Sequence, residues 1–117
     1  MDIASRAHIE LLVNTFYEKV RTDNLLAPRF AHVDWPHHMP VMYNFWCSMM
    51  LDEKSYQGNP FQKHMPLALE AAHFERWLTL FRATVDELFK GEKAEEIKMR
   101  AQSIGMVWQH KLGLLIR

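Results

Sequence analysis

The sequence predicts an all-α fold. Apolar residues recur every three or four positions along most of the chain, and no stretch alternates as a half-buried strand would. Gly58, Pro60 and Pro66 gather in the one segment where that rhythm fails, so the periodic runs on either side are free to stay helical.

The elements follow in order. Ile9, Leu12, Val13, Phe16, Tyr17 and Val20 step by three and four and place one apolar stripe on a first helix. Asp23 and Asn24 break or cap it, and Leu25 to Phe30 forms a short second helix entered from a turn. Ala31 to Pro36 is a connection. Met42, Phe45, Trp46, Met49 and Met50 mark the next helix, beginning near His37, with Pro40 in its first turn, where a missing amide hydrogen costs little. From Asp52 to Ala68 the pattern dissolves into a long irregular segment with room for a turn or two of helix around His64. Loops of this length are usually functional or disordered. Phe74, Trp77, Leu78, Phe81, Val85, Leu88 and Phe89 restore the helical spacing, stopped by Gly91 as a C-cap. A last helix carries Ala94, Ile97, Ala101, Ile104, Trp108 and Leu112. With no internal repeat and no linker, 117 residues make one domain, 1–117, with a single modest core.

Composition narrows the functional classes. Hydrophobic residues make up 49% of the chain, which excludes a disordered tail. Fourteen basic residues balance fourteen acidic ones, so no strong field invites nucleic acid or an anionic membrane. The single cysteine, Cys47, has no intrachain partner for a disulfide. The first residues lack a basic start followed by an apolar run, and no apolar stretch approaches the roughly 20 residues of a membrane span. A soluble cytoplasmic protein is the expectation.

Several residues carry chemistry, each with an ordinary structural reading beside the functional one. Alone, His64 reads as a loop histidine, Tyr17 as a core tyrosine with its hydroxyl at the surface, and Trp77 as a core anchor. His37, His38, His64 and His73 invite a metal-cluster reading. Zinc sites, however, normally contain a close pair such as HxxH, HxxxH or CxxC, and the sequence has none.

Five blocks change that balance. They are Phe16-Tyr17-Glu18-Lys19-Val20-Arg21; Trp35-Pro36-His37-His38 followed by Asn44-Phe45-Trp46; Tyr56-Gln57-Gly58-Asn59-Pro60; Lys63-His64; and His73-Phe74-Glu75-Arg76-Trp77-Leu78. In this order and spacing, from about Leu12 to Ile104, the chain resembles the truncated haemoglobins of the third group. The resemblance implies a truncated globin, a two-over-two helical sandwich around haem, with the proximal helix reduced to little more than a turn. The cofactor it implies is haem b, iron protoporphyrin IX. The third group lacks the paired glycines of its relatives, as this chain does.

The resemblance also implies roles. His64 matches the proximal iron ligand, a neutral imidazole whose other nitrogen needs an orienting partner. No carboxylate stands among Gln62, Lys63, Met65 and Pro66, so a backbone carbonyl is the expected partner. Tyr17 matches the distal tyrosine and Trp77 a distal indole, which can only donate. His38 matches the distal histidine, gating ligand access or donating to the ligand, while His37 faces solvent. Met42 matches the next position of the distal wall. Phe30, Phe45 and Trp46 are expected on or near the ring, a plain core role being the safer one for Trp46. Lys63, Arg76 or Tyr56 would reach a haem propionate.

Two distal donors favour retaining dioxygen over transporting it. The tasks implied are nitric oxide dioxygenation, a weak peroxidase-type activity or ligand sensing, with dioxygen, nitric oxide and carbon monoxide as ligands. The sequence does not choose among them, nor decide whether the chain is an enzyme. It contains no reductase domain, so an electron donor would be a separate reductase. The alternative is a non-haem helical interaction protein that kept the globin pattern and lost the cofactor. The oligomeric state is not written in the sequence.

Overall fold

The structure is a computed structural model, and residues 1–51 and 70–111 are described. The irregular segment around His64, with Tyr56 and Lys63, and the end of the last helix at Leu112 lie outside the described residues. Four α-helices and one short 3₁₀ turn make up the rest: α1 (Arg6–Thr22), the 3₁₀ turn Ala27–Phe30, α2 (Trp35–Met50), α3 (Ala71–Leu88) and α4 (Glu92–Lys111). Helix α1 packs against α2 and crosses α3, and α3 pairs with α4, giving two helices over two.

Helix α1 begins where Ser5 accepts a hydrogen bond from the His8 amide, satisfying one orphan donor of the first turn. Its apolar stripe is buried throughout, from Ile9 to Val20. The stripe meets an aromatic centre drawn from three helices. Trp46 of α2 stacks on Phe81 of α3 at 5.1 Å between centroids, and Phe16 of α1 meets Phe81 edge-on at the same distance. Trp77 stacks on Phe81 one turn away, at 5.6 Å. Such pairs contribute about 0.5–1.5 kcal/mol each beyond area burial, and they fix the rotation of all three helices.

The chain leaves α1 at Asp23, whose carboxylate accepts from the Leu25 and Leu26 amides at 3.0 Å each. Those two amides are thereby taken from any helix start, and Pro28 offers no donor, so the expected second helix shrinks to the 3₁₀ turn.

Two boundaries differ from expectation. Helix α2 starts at Trp35, because the Asp34 carbonyl accepts from both the His37 and the His38 amides. Pro36 therefore takes the first-turn place, and Pro40 falls inside the helix, where its ring removes only the bond its amide would make to Pro36. Gly91 also changes role. Helix α3 ends at an extended Phe89, and Gly91 instead opens α4, its carbonyl accepting from the Glu95 amide. Its φ is +143°, and a Cβ there would lie 2.5 Å from Asp2 Cγ. Asp2 accepts from the Lys93 and Ala94 amides at 2.9 Å each and so caps α4 from the other end of the chain.

Candidate functional site

Tyr17 follows Phe16 on the core stripe of α1 and is 2% exposed. Its neighbours come from every element around it. His38 of α2 meets the ring edge-on at 5.6 Å, and Trp35, three residues earlier on α2, leans on it at 5.2 Å. From α3, Trp77 places its indole within hydrogen-bonding reach of the Tyr17 hydroxyl. An indole only donates, so the phenol oxygen is the acceptor and the phenol hydrogen is left for something else. No described residue accepts it.

Burial sets the protonation of this phenol. Loss of solvent pushes Tyr17 far above the ordinary tyrosine value, opposed only in part by the Trp77 hydrogen bond. Tyr17 is therefore a neutral donor at any physiological pH. His38 is 8% exposed, while His37 beside it is exposed, so the inward histidine is the second of the pair.

Trp35 closes this chamber. It stacks on Phe30 at 6.3 Å, meets His38 edge-on at 5.6 Å and carries Arg21 over its outer face at 5.2 Å. No role was expected of Trp35, although its place at the helix start, three residues before His38, puts both on one face.

Trp77 also faces a second space. A cleft opens beside it, lined by Leu26, Phe30, His73, Phe74, Ile104 and Trp108, with Gly105 in its wall. A Cβ added at Gly105 would meet no atom within 4 Å. The lining is almost wholly apolar and comes from the 3₁₀ region, α3 and α4. Trp77 and Phe30 border both this cleft and the chamber around Tyr17, Trp77 through the Tyr17 hydroxyl and Phe30 through Trp35.

The remaining predicted residues divide. Met42, one turn after His38, is 4% exposed in the core, and Phe45 sits at its edge against Trp46. Arg76 is held by Asp23 at 2.7 Å, bracing the turn after α1. His64, Lys63 and Tyr56 lie outside the described residues. His73, given no chemistry beforehand, is 6% exposed and lines the cleft. Among the described residues, no three His, Cys, Asp or Glu side chains gather to hold a metal, and no helix is long and apolar enough to cross a membrane.

The chain is similar to known globins along most of its length. The pattern of the bacterial-like globin family matches residues 2–108. Over 111 residues the chain is 36% identical to a group 3 truncated haemoglobin of Campylobacter jejuni, covering 89% of this chain and 87% of that protein. It is 32% identical over 75 residues to the group 1 truncated haemoglobin GlbN of Nostoc commune, covering 63% and 64% of the two. The crystal structure of a group III truncated haemoglobin from Campylobacter jejuni superposes with a TM-score of 0.86 at 34% identity, covering 96% of this chain and 94% of that one.

Proposed function

Because the chain belongs to the bacterial-like globins, and among them to the group III truncated haemoglobins, we propose that it holds one haem b through His64 and receives diatomic ligands beside Tyr17, Trp77 and His38. The described residues supply one apolar edge against which a planar group would pack. The cleft wall is aromatic and aliphatic, and at Gly105 an added Cβ would meet no atom within 4 Å, so the wall is open there. The observation that carries the reading is Trp77 itself. Its ring borders that apolar cleft while its N–H reaches the buried Tyr17 hydroxyl, so a group in the cleft would lie next to a phenol donor whose oxygen the indole holds in place.

Haem, when bound, supplies a ferrous centre that takes dioxygen, nitric oxide or carbon monoxide. The protein supplies the rest. The neutral Tyr17 hydroxyl donates its free hydrogen to a ligand that gains negative charge, and Trp77 becomes a second donor when its single N–H turns from the Tyr17 oxygen to the ligand. His38 stands beside Tyr17, where it donates or restricts access. Trp35, Phe30 and Phe16 keep water from these groups, which strengthens each hydrogen bond. Two buried donors favour retention and chemistry, such as nitric oxide dioxygenation or peroxide handling, over delivery, with a separate reductase as electron donor. Met42 and Phe45 serve as walls, and Lys63, Tyr56 and Arg76 remain candidates for the propionates.

An absorbance scan of the purified protein tests this directly. Haem-loaded protein shows a Soret band that sharpens and shifts when the iron is reduced and exposed to carbon monoxide. A colourless, fully folded protein with no affinity for added hemin would instead favour the non-haem interaction reading.

A further inference from the structure

Of the rings around Tyr17, Phe16, Phe30 and His38 are buried, while Trp35 and Trp77 are partly exposed. The two exposed rings are held differently. Trp77 is pinned within the aromatic centre, stacked on Phe81 and met edge-on by Phe16 at 5.6 Å each. Trp35 stands at the rim, as the first residue of α2. Its inward contacts are Tyr17 at 5.2 Å, His38 at 5.6 Å and Phe30 at 6.3 Å between centroids. Those partners belong to α1, α2 and the 3₁₀ turn, so one indole closes the seam where three elements meet. The guanidinium of Arg21, an exposed residue of α1, lies over that indole at 5.2 Å from its centroid.

Little else fixes the start of α2. The Asp34 side chain makes no capping hydrogen bond among the described residues, and Pro36 brings no amide hydrogen. The Asp34 carbonyl ties the helix down only from His37 onward. A helix end with orphan first-turn groups opens at low cost, so ring contacts rather than the helical ladder decide where this indole sits. We propose that Trp35 is the gate through which small ligands enter and leave the Tyr17 chamber, and that Arg21 is the positioning residue that latches it. The gate rests on the ligand-binding reading above. Swinging the indole outward parts α1 from the start of α2 while leaving the contact between Tyr17 and Trp77 in place. A gate of this kind speeds or slows passage in both directions equally and leaves equilibrium affinity alone, whereas a hydrogen-bond donor acts on the bound ligand.

The test uses the reduced, haem-loaded protein with carbon monoxide, which gains little negative charge on binding and so hardly senses the distal donors. Flash photolysis gives its association rate, and displacement by nitric oxide gives its dissociation rate. Trp35→Phe is expected to speed both about tenfold, the worth of the ring contacts it loosens. Arg21→Gln changes only an exposed side chain and is expected to speed both about two- to fivefold, the size of an exposed cation–π contact. Arg21→Lys keeps a cation at the ring and is expected to stay near the parent. In all three the ratio of the two rates, and hence the affinity, is expected to hold. A second readout needs no haem. The chain has four tryptophans, and after labelling with 5-fluorotryptophan the fluorine resonance absent from Trp35→Phe belongs to Trp35. Arg21→Gln is expected to enlarge the shift of that resonance between light and heavy water and to leave the others unmoved. Unchanged rates in both Trp35→Phe and Arg21→Gln overturn the gate. A change confined to dissociation also overturns it, since Trp35 would then act on the bound ligand. A Trp35 resonance indifferent to Arg21→Gln overturns the latch. A protein that takes up no haem fails the ligand-binding reading instead, and the fluorine shift still decides the latch.

Discussion

The corner where α3 hands over to α4 and the chamber around Tyr17 both hold polar groups against apolar neighbours, on opposite terms. At the corner, the Asp2 carboxylate accepts from the Lys93, Ala94 and Ile3 amides, and the Lys90 amide donates to the Met1 carbonyl. Donors and acceptors balance there, in contact with water. In the chamber, a phenol, an indole and an imidazole are walled in by Phe16, Phe30 and Trp35, and the phenol hydrogen finds no acceptor among the described residues. A polar group buried with a hydrogen-bond vacancy costs about 1–3 kcal/mol. A fold selected for stability alone would place phenylalanine there. The corner secures the fold, and the chamber gives up some stability to keep a donor waiting.

Substitutions sharpen that contrast. Tyr17→Phe and Trp77→Phe are each expected to raise the dioxygen off-rate about ten- to a hundredfold, the effect of one charge-assisted hydrogen bond, with unfolding midpoints at or above the parent's for Tyr17→Phe. Stopped-flow displacement measures the rates, and unchanged values for both variants would reduce the chamber to ordinary core. Gly91→Ala should do the reverse, costing about 1–3 kcal/mol for the forced backbone and further stability from the collision with Asp2, with off-rates untouched. A chemical denaturation curve decides it.

The two regions also respond to opposite ends of the pH scale. Burial raises the Tyr17 pKa above its ordinary value of 10.0. Between those two values the unfolded chain has lost the proton that the folded chain keeps, so stability falls as pH climbs past 10. Tyr17→Phe is expected to flatten that alkaline decline. For Asp2 the sign inverts. The Lys93 amide, with smaller help from Ile3 and Ala94 and against the pull of desolvation, holds its carboxyl below the usual 3.8. Its contribution is complete above that value and fades as acid titrates the folded form. Asp2→Asn is expected to blunt the steepness of acid unfolding, the smallest effect of the four, with no change at neutral pH in ligand release.

Much of this was legible in the residues. The α1 stripe was read in full, since period alone decides which side of a helix is buried, and Tyr17 and Trp77 fell on inward positions for the same reason. The start of α2 was misjudged because two prolines compete for one first-turn place, and only the Asp34 carbonyl, accepting from two amides, settles which wins. Gly91 was given to the wrong helix because a glycine between two helices serves either, and the deciding partner, Asp2, lies 89 positions away in the chain. The contact between Arg29 and His73 is hidden from the sequence for a similar reason. A capping histidine three residues after Glu70 was readable from local spacing, whereas its meeting with Arg29 joins elements 44 residues apart.

The claim on which the others depend is that His64 binds the iron of a haem. Haem content and Soret absorbance of purified His64→Ala, measured beside His37→Ala as a matched surface control, test it most directly. The account predicts that His64→Ala loses the band or keeps a weak, displaced remnant while His37→Ala retains a full complement of haem. A His64→Ala protein with the parent's spectrum and one haem per chain would contradict it.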